Sequence, residues 1–266
     1  ECGAVSYEHI IYHKKDRIAE IIINRPEIMN AMSFKTMDEF ISALGDAASD
    51  DDVGVIVISG AGEKAFSSGD ERGGTDVGSW YNWTPGEKFT NFRRGRYIYR
   101  LIESIRDLMK PVIAAVNGWA LGGGFELALA CDIIVASEEA NFGYPYVLIG
   151  AVSGTSLLPR VIGYHRACEY MFTGDLISAR EAERIGLVNH VVSQEELSTT
   201  VRELAQKLAR QATLLVGWTK WALNKAMGNY SEAIDYEVLA CSLFHPSRYV
   251  PRLVDGQVSP YSSKKR

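Results

Sequence analysis

Runs of apolar residues recur along the first half of the chain and predict strands. Residues 17–24 are rich in isoleucine and stop at an Arg-Pro pair, as a strand entering a turn does. Residues 53–59 and 111–116 are apolar almost without interruption, which is typical of strands buried on both faces of a parallel sheet. A shorter run at residues 133–136 predicts a fourth strand.

Helical spacing separates these strands. Ser33 has the chemistry of an N-cap, and apolar residues follow it at helical intervals: Phe34, Met37, Phe40, Ile41 and Leu44. A second helix is predicted from about residue 92, with a stripe of Tyr97, Leu101, Ile105 and Leu108, and a third at residues 125–130. The repeated order of strand and helix predicts an α/β fold with mainly parallel strands.

From residue 195 the pattern changes to helix alone. Helical repeats cover residues 195–211, 214–227 and 231–243, with hardly any strand signal. We therefore expect a core at residues 1–199 and a helical C-terminal region at residues 200–266.

Composition narrows the classes of partner. The 266 residues are 47% hydrophobic and 23% charged, which is the balance of a globular protein with enough apolar material for a core. The net charge of −5 provides no general attraction to nucleic acid or to an anionic membrane. The four cysteines lack metal-ligand spacing, no apolar run reaches the ~20 residues that span a bilayer, and no signal-peptide pattern opens the chain. We expect a cytoplasmic protein without a metal.

Two glycine-containing turns carry the candidate chemistry. Residues 122–124 are three glycines between a predicted buried strand and a predicted helix, where backbone amides can approach a ligand closely and the helix dipole favours negative charge. A tight turn without function is the alternative. Residues 65–74 form a second Ser/Gly/Asp-rich turn, and it opens a long aperiodic stretch, residues 67–88, that contains Trp80, Tyr81 and Trp83. Long ordered loops of this kind are often functional.

The pair of turns resembles the two oxyanion-hole segments of the crotonase (enoyl-CoA hydratase/isomerase) superfamily. The resemblance extends from about residue 10 to residue 192, through Asn24-Arg25-Pro26, Asn30-Ala31-Met32, Cys131-Asp132, Phe142-Gly143-Tyr144-Pro145, Thr173-Gly174 and Gly186-Leu187-Val188-Asn189. It implies a spiral of repeated β-β-α units with a helical C-terminal trimerisation region. It also implies an acyl-CoA substrate, no separate cofactor, and a homotrimer or a dimer of trimers.

Carried over residue by residue, the resemblance implies that the backbone amides of Asp70 and Gly123 bind the thioester oxygen. Two such donors stabilise the enolate that forms beside the carbonyl. The substrate-binding positions that it implies are Arg25, Met29, Ala31, Ser68, Gly122 and Pro145.

Acid/base groups decide which reaction runs. Glu126 stands three residues after Gly123, where the family places one of its two hydratase carboxylates. The second carboxylate normally follows the Pro of the Phe-Gly-x-Pro segment, and this chain has Tyr146 there, a phenol whose usual pKa of about 10 makes it a poor general base. Asp70 could supply the second carboxylate, or its side chain could only stabilise its turn.

Three functions follow from these residues. The first is an enoyl-CoA hydratase or related lyase, which rests on Glu126 and the two amides. The second is another crotonase reaction, such as decarboxylation, isomerisation or acyl-CoA hydrolysis, which tolerates the loss of one Glu. The third is a non-catalytic member that binds acyl-CoA or RNA. The presence of Glu126 argues against a catalytically inactive protein, and the negative net charge argues against RNA binding.

Overall fold

A computed structural model describes residues 6–71, 98–149 and 154–228. Its strands are β1 (Ile10–Lys15), β2 (Ile18–Ile23), β3 (Val55–Gly60), β4 (Ala65–Ser67), β5 (Val112–Val116), β6 (Trp119–Leu121), β7 (Ile133–Ser137), β8 (Asn141–Gly143), β9 (Ile177–Ser178) and β10 (His190–Val192). The predicted helix at residues 231–243 and the aromatics Trp80, Tyr81 and Trp83 lie outside the described residues.

The described helices separate and cover these strands. They are α1 (Phe34–Ser49), α2 (98–106), α3 (Gly123–Ala130), α4 (Leu158–Ile162), α5 (Tyr164–Thr173), α6 (Ala179–Arg184), α7 (Gln194–Ala209) and α8 (Thr213–Ala226). Ser33 caps α1, since its side chain accepts the N–H of Thr36 in a capping box. Short 3-10 helices occupy Pro26–Ile28 and Val147–Ile149.

Among the described residues, six strands form the main sheet in the order β1-β2-β3-β5-β7-β10. In this set of strands the β1–β2 pair is antiparallel, and the other neighbours run parallel. Alternate residues of the central strands enter two separate apolar clusters: Ile56 and Ala114 belong to the cluster beneath α1 and α3, whereas Val57 and Ala115 belong to the cluster beneath α7. Burial on both faces explains the uninterrupted apolar runs.

A smaller sheet has the order β4-β6-β8-β9. Each of three successive units places its first strand in the main sheet and its second in the small sheet: β3 with β4, β5 with β6, and β7 with β8. A helix follows each second strand, α2 and α3 in the first two units. This is the expected α/β spiral of β-β-α units, and it stacks the three turns that follow β4, β6 and β8 beside one another.

The late helices pack on the core. Helix α7 begins before residue 200 and lies on the main sheet, with Leu197 and Val201 buried in its second apolar cluster. Helix α8 is attached through Lys220, which is 6% exposed and whose ammonium lies 2.8 Å from the Asp132 carboxylate. The division at residues 199 and 200 stays a prediction. None of the helices in the described part of the chain is long and apolar enough to cross a bilayer.

Candidate active site

The two predicted turns meet at the ends of neighbouring strands. β4 and β6 pair in parallel, so the turn after Ser67 lies beside the turn after Leu121. A Cβ on Gly69 would lie 2.7 Å from the Leu121 carbonyl oxygen and 3.0 Å from the Gly123 nitrogen. The two backbones are therefore too close for any side chain between them, which explains the glycine.

The Gly122-Gly123 turn presents amides at a helix N-terminus. Gly122 has a φ of 53°, a conformation that favours glycine, and Gly123 is the first residue of α3. The first N–H groups of a helix have no partner within the helix, and the dipole makes this end positive. An oxygen that gains negative charge is stabilised at this position.

Asp70 lies against this helix start. A parallel bridge pairs Asp70 with Met32, and it uses the Gly69 carbonyl and the Glu71 N–H, so the Asp70 N–H points away from Met32. The Asp70 carboxylate is close to Gly123, since a Cβ added there would be 2.9 Å from Oδ1. The Asp70 carboxylate and the backbone of the preceding Gly69 therefore both adjoin the Gly122-Gly123 turn.

Glu126 is buried beside the same turn. It lies on the first turn of α3, its backbone N–H donates to the Gly122 carbonyl at 3.0 Å, and the residue is only 2% exposed. A carboxylate is rarely buried to this extent without a functional or structural reason.

Tyr146 reaches the turn from the third β-β-α unit. A Cβ added at Gly122 would lie 3.0 Å from the Tyr146 hydroxyl, so the phenol tip contacts the backbone of this glycine. Its ring stacks on Tyr144 with centroids 5.8 Å apart. Pro145 joins the two tyrosines. Tyr146, a candidate site residue predicted from the sequence, therefore lies against the Gly122-Gly123 turn.

Tyr144 was not predicted as a site residue. Its ring packs 4.7 Å from that of Phe125, and its buried hydroxyl has no hydrogen-bond partner among the described residues. Burial raises the pKa of Tyr144 well above its usual value, and the nearby Glu126 charge adds to the shift. Tyr144 therefore stays protonated and can donate a hydrogen bond. Its place in the Phe142-Gly143-Tyr144-Pro145 segment was the signal for it in the sequence.

An apolar cavity of about 340 Å³ adjoins the two tyrosines. Besides Tyr144 and Tyr146, its lining includes Val147, Pro159, Ala167 and Met171. Such a cavity can hold an apolar group but supplies few polar partners.

The predicted CoA-binding positions form a second group of contacts. The Ser68 N–H donates to the Met29 carbonyl at 2.9 Å, and Arg25 donates from Nη1 to the Ala31 carbonyl at 2.9 Å. The same Arg25 atom lies 2.6 Å from the Glu71 carboxylate. The segment before α1 and the turn that contains Ser68 are thus joined, next to Asp70.

Asn30 holds this second group in place and was not predicted to do so. It is fully buried with a φ of 55°, and its amide donates to the carbonyls of Ala61 and Ala65 at 2.9 and 2.7 Å. The backbone carbonyl of Asn30 accepts a hydrogen bond from the Ser67 hydroxyl at 2.8 Å.

No group of three or more metal-ligating side chains occurs within residues 6–71, 98–149 and 154–228.

The arrangement matches a known family. The model of the enoyl-CoA hydratase/isomerase family matches residues 13–241. The chain is 40% identical over 226 residues to crotonyl-CoA hydratase of Syntrophomonas wolfei, covering 84% of each protein. It is 39% identical over 224 residues to short-chain-enoyl-CoA hydratase of Clostridium acetobutylicum, covering 82% of each.

A solved structure agrees. The crystal structure of an enoyl-CoA hydratase subunit from Geobacillus kaustophilus superimposes with a TM-score of 0.79 at 35% identity, over 89% of this chain and 90% of that one. The resemblance inferred from the motifs is confirmed, and the chain belongs to the enoyl-CoA hydratase/isomerase family.

Proposed function

We propose that this chain adds water across the double bond of 2-enoyl-CoA thioesters. The observation that carries the proposal is the meeting of the Gly69-Asp70 and Gly122-Gly123 backbones beside the buried Glu126. The hydratase names of its relatives support the same reaction.

The chemistry needs each of these groups. The thioester oxygen accepts hydrogen bonds from the Asp70 and Gly123 N–H groups. When the oxygen of water bonds to C3, the electrons of the C2–C3 double bond form a double bond between C1 and C2, and those of the carbonyl move onto the thioester oxygen. The two N–H donors stabilise the resulting enolate. The enolate collapses when C2 takes up a proton. Glu126 accepts the proton of the attacking water and returns a proton to C2.

The CoA portion binds where the Arg25 segment and the Ser68 turn are joined. Arg25, Met29 and Ala31 line one side of this junction, and Ser68 lies on the other. Gly122 and Pro145 flank the thioester from the direction of Tyr146. The apolar cavity beside Tyr144 and Tyr146 receives part of the acyl group, and its aromatic wall favours a flat one.

Product analysis tests the reaction. With crotonyl-CoA, a decenoyl-CoA and cinnamoyl-CoA in oxygen-labelled water, we expect 3-hydroxyacyl-CoA that carries the label, identified by mass spectrometry. If CoA thioesters bind but none reacts, the chain is a non-catalytic member of the family.

Isomerisation of the double bond is the second candidate, because it also needs only the one carboxylate that remains where Tyr146 replaces the second. Moving a double bond requires one group to take a proton from one carbon and return it to another, which a single carboxylate can do. A 3-enoyl-CoA substrate distinguishes the two reactions, because isomerisation forms the 2-enoyl product without incorporating labelled oxygen.

We also propose that the chain assembles as a trimer or a dimer of trimers. Large apolar side chains are exposed on the α4–α5 side and on α8: Val147, Leu148, Val161, Tyr164, Phe172, Leu176, Leu214, Leu223 and Met227. Apolar residues clustered in this way mark interaction surfaces. The cytoplasmic location of the protein stays a prediction. The expectation that it needs no cofactor apart from the CoA of its substrate also stays a prediction.

Light scattering tests the assembly. At micromolar concentration we expect a mass of three or six times the 29.4 kDa of one chain. Phe172→Asp, at a side chain that is 73% exposed, is expected to shift the mass towards the monomer. Ile11→Asp introduces the same charge at an exposed apolar residue on β1 and is expected to leave the mass unchanged. A monomeric parent protein would refute the proposal.

A further inference from the structure

The apolar cavity beside the two tyrosines lies between two walls. Helix α5 forms one wall with Ala167 and Met171, which are four residues apart and therefore share a face of the helix. Tyr144 and Tyr146 form the opposite wall, and Val147 continues it. The space between the walls offers mainly apolar surface, which suits a hydrocarbon chain.

The inner end of this cavity adjoins the proposed catalytic groups. The Tyr146 ring lines the cavity, whereas its hydroxyl would lie 3.0 Å from a Cβ added at Gly122. Tyr144 also lines the cavity, and its ring packs on that of Phe125 in helix α3. A thioester bound at the Gly122-Gly123 turn therefore lies about one tyrosine ring away from the cavity, so that only the far part of an acyl group enters it.

The inner wall is held in place by its neighbours. A Cβ added at Gly154 would lie 2.4 Å from Cε1 of Tyr144, so the backbone of this glycine packs directly on the ring. The rings of Phe125 and Tyr146 contact Tyr144 as well, with centroids 4.7 and 5.8 Å away. A ring packed in this way is prevented from swinging into the cavity and filling it. The cavity is therefore a fixed feature of the fold.

Ala167 leaves the inner end of the cavity wide. This residue is only 1% exposed, and its methyl group is the smallest side chain of the α5 wall. The outer end is open, because Val147, Tyr164 and Phe172 of the lining are exposed. An acyl chain in the cavity would therefore be buried beside Ala167, and a longer chain would emerge at the outer end.

The cavity is larger than a short acyl group requires. A protein cavity of about 150 Å³ holds benzene, with its six carbon atoms, and this cavity of about 340 Å³ is more than twice as large. Crotonyl-CoA has a four-carbon acyl group. Its first three carbon atoms lie at the reacting centre, between the thioester oxygen and Glu126, and its methyl group alone cannot fill the cavity.

We propose, on the basis of the proposed hydratase reaction, that the chain prefers straight 2-enoyl-CoA thioesters of about eight to twelve carbon atoms and that Ala167 permits this preference. Each methylene group that leaves water for the apolar walls strengthens binding of the acyl group in the transition state. Carbon atoms beyond the open outer end stay in water and add nothing further.

The specificity constant kcat/KM is measured for 2-enoyl-CoA substrates of 4, 6, 8, 10, 12 and 14 carbon atoms. We expect the value for 2-decenoyl-CoA to exceed that for crotonyl-CoA at least about tenfold. Beyond about twelve carbon atoms the value should rise no further, because the added atoms lie outside the cavity. Values that stay equal or fall as the chain lengthens would overturn the proposal.

Three variants of α5 test whether this cavity sets the preference. Ala167→Leu fills the inner end and is expected to lower the ratio of kcat/KM for 2-decenoyl-CoA to that for crotonyl-CoA at least about tenfold. Cys168→Leu adds bulk at a less buried position of the same wall and is expected to lower the ratio in the same direction, which keeps the test available if Ala167→Leu does not fold. Glu169→Leu places the same side chain at the next, exposed position outside the cavity and should leave the ratio unchanged. An unchanged ratio in folded Ala167→Leu and Cys168→Leu would contradict the assignment.

Equilibrium binding separates this inference from the proposed reaction. Decanoyl-CoA and butyryl-CoA lack the double bond, so their dissociation constants, measured by calorimetry, do not depend on hydration. If no enoyl-CoA is hydrated, the proposed reaction fails, whereas binding of decanoyl-CoA at least about tenfold tighter than butyryl-CoA still supports the preference for chain length. Equal affinities, or a crystal of the decanoyl-CoA complex in which a second copy of the chain fills the cavity, would refute it.

Discussion

Replacing Glu126 by Gln is expected to lower the turnover of enoyl-CoA by about a hundredfold to ten-thousandfold. The amide keeps the size of the side chain and some of its hydrogen bonding, but it cannot accept a proton from water. Because the loss falls on the chemical step, kcat should drop while the dissociation constant of unreactive butyryl-CoA changes little. Steady-state kinetics and equilibrium titration measure the two quantities.

Glu139→Gln is the matched control, since this exposed glutamate lies in the turn after β7. It is expected to leave both constants unchanged. Two further variants test the groups next to Glu126: Tyr146→Phe should cost less than Glu126→Gln, and Asp70→Asn should cost much only if Asp70 supplies a second carboxylate. Full activity of Glu126→Gln alongside an inactive Asp70→Asn or Tyr146→Phe would rule out the proposed role of Glu126.

Replacing Gly123 by Pro is expected to reduce kcat by about a hundredfold or more, because it removes one of the two N–H donors to the thioester oxygen. The proline Cβ, like that of alanine, would lie 2.9 Å from Asp70 Oδ1 and that side chain must shift, but the helix itself accepts proline at this position. Gly123 is the first residue of α3, the helical position at which proline is most readily accepted and where the N–H has no helical partner. Circular dichroism and the oligomeric mass establish that the variant is folded.

Gly123→Ala separates the missing donor from the added bulk. Alanine retains the N–H, although its Cβ would approach the Asp70 carboxylate at 2.9 Å and that side chain must shift. We expect Gly123→Ala to lose much less activity than Gly123→Pro. A folded Gly123→Pro variant with near-normal turnover would show that this amide does not bind the thioester oxygen.

The pattern of apolar residues was sufficient to predict the longer strands and helices. The runs at residues 17–24, 111–116 and 133–136 became β2, β5 and β7 within one or two residues, because strands buried on both faces carry a local signal that does not depend on their neighbours. Helix α1 was also predicted from a local signal, because an N-cap residue is followed by apolar residues at helical spacing.

Short strands could not be predicted in this way. β4, β6 and β8 have three residues each, too few for a period, and they exist because each pairs with the next in the small sheet. Helix α3 begins at Gly123, two residues earlier than its apolar pattern indicated, since glycine carries no hydrophobic signal.

The sequence by itself determined the α/β class, the order of strands and helices, the two glycine turns and the family resemblance, all of which depend on residue type and spacing along the chain. Only the tertiary structure decided that Asp70 lies against Gly123, that the Tyr146 hydroxyl lies against Gly122, and that the hydroxyl of Tyr144 is buried without a described partner. It also decided that Asn117 and Gln194 line one cavity between the main sheet and α7. The physical reason is that these contacts join residues about 20 to 80 positions apart, and such contacts depend on how whole units pack rather than on any local pattern.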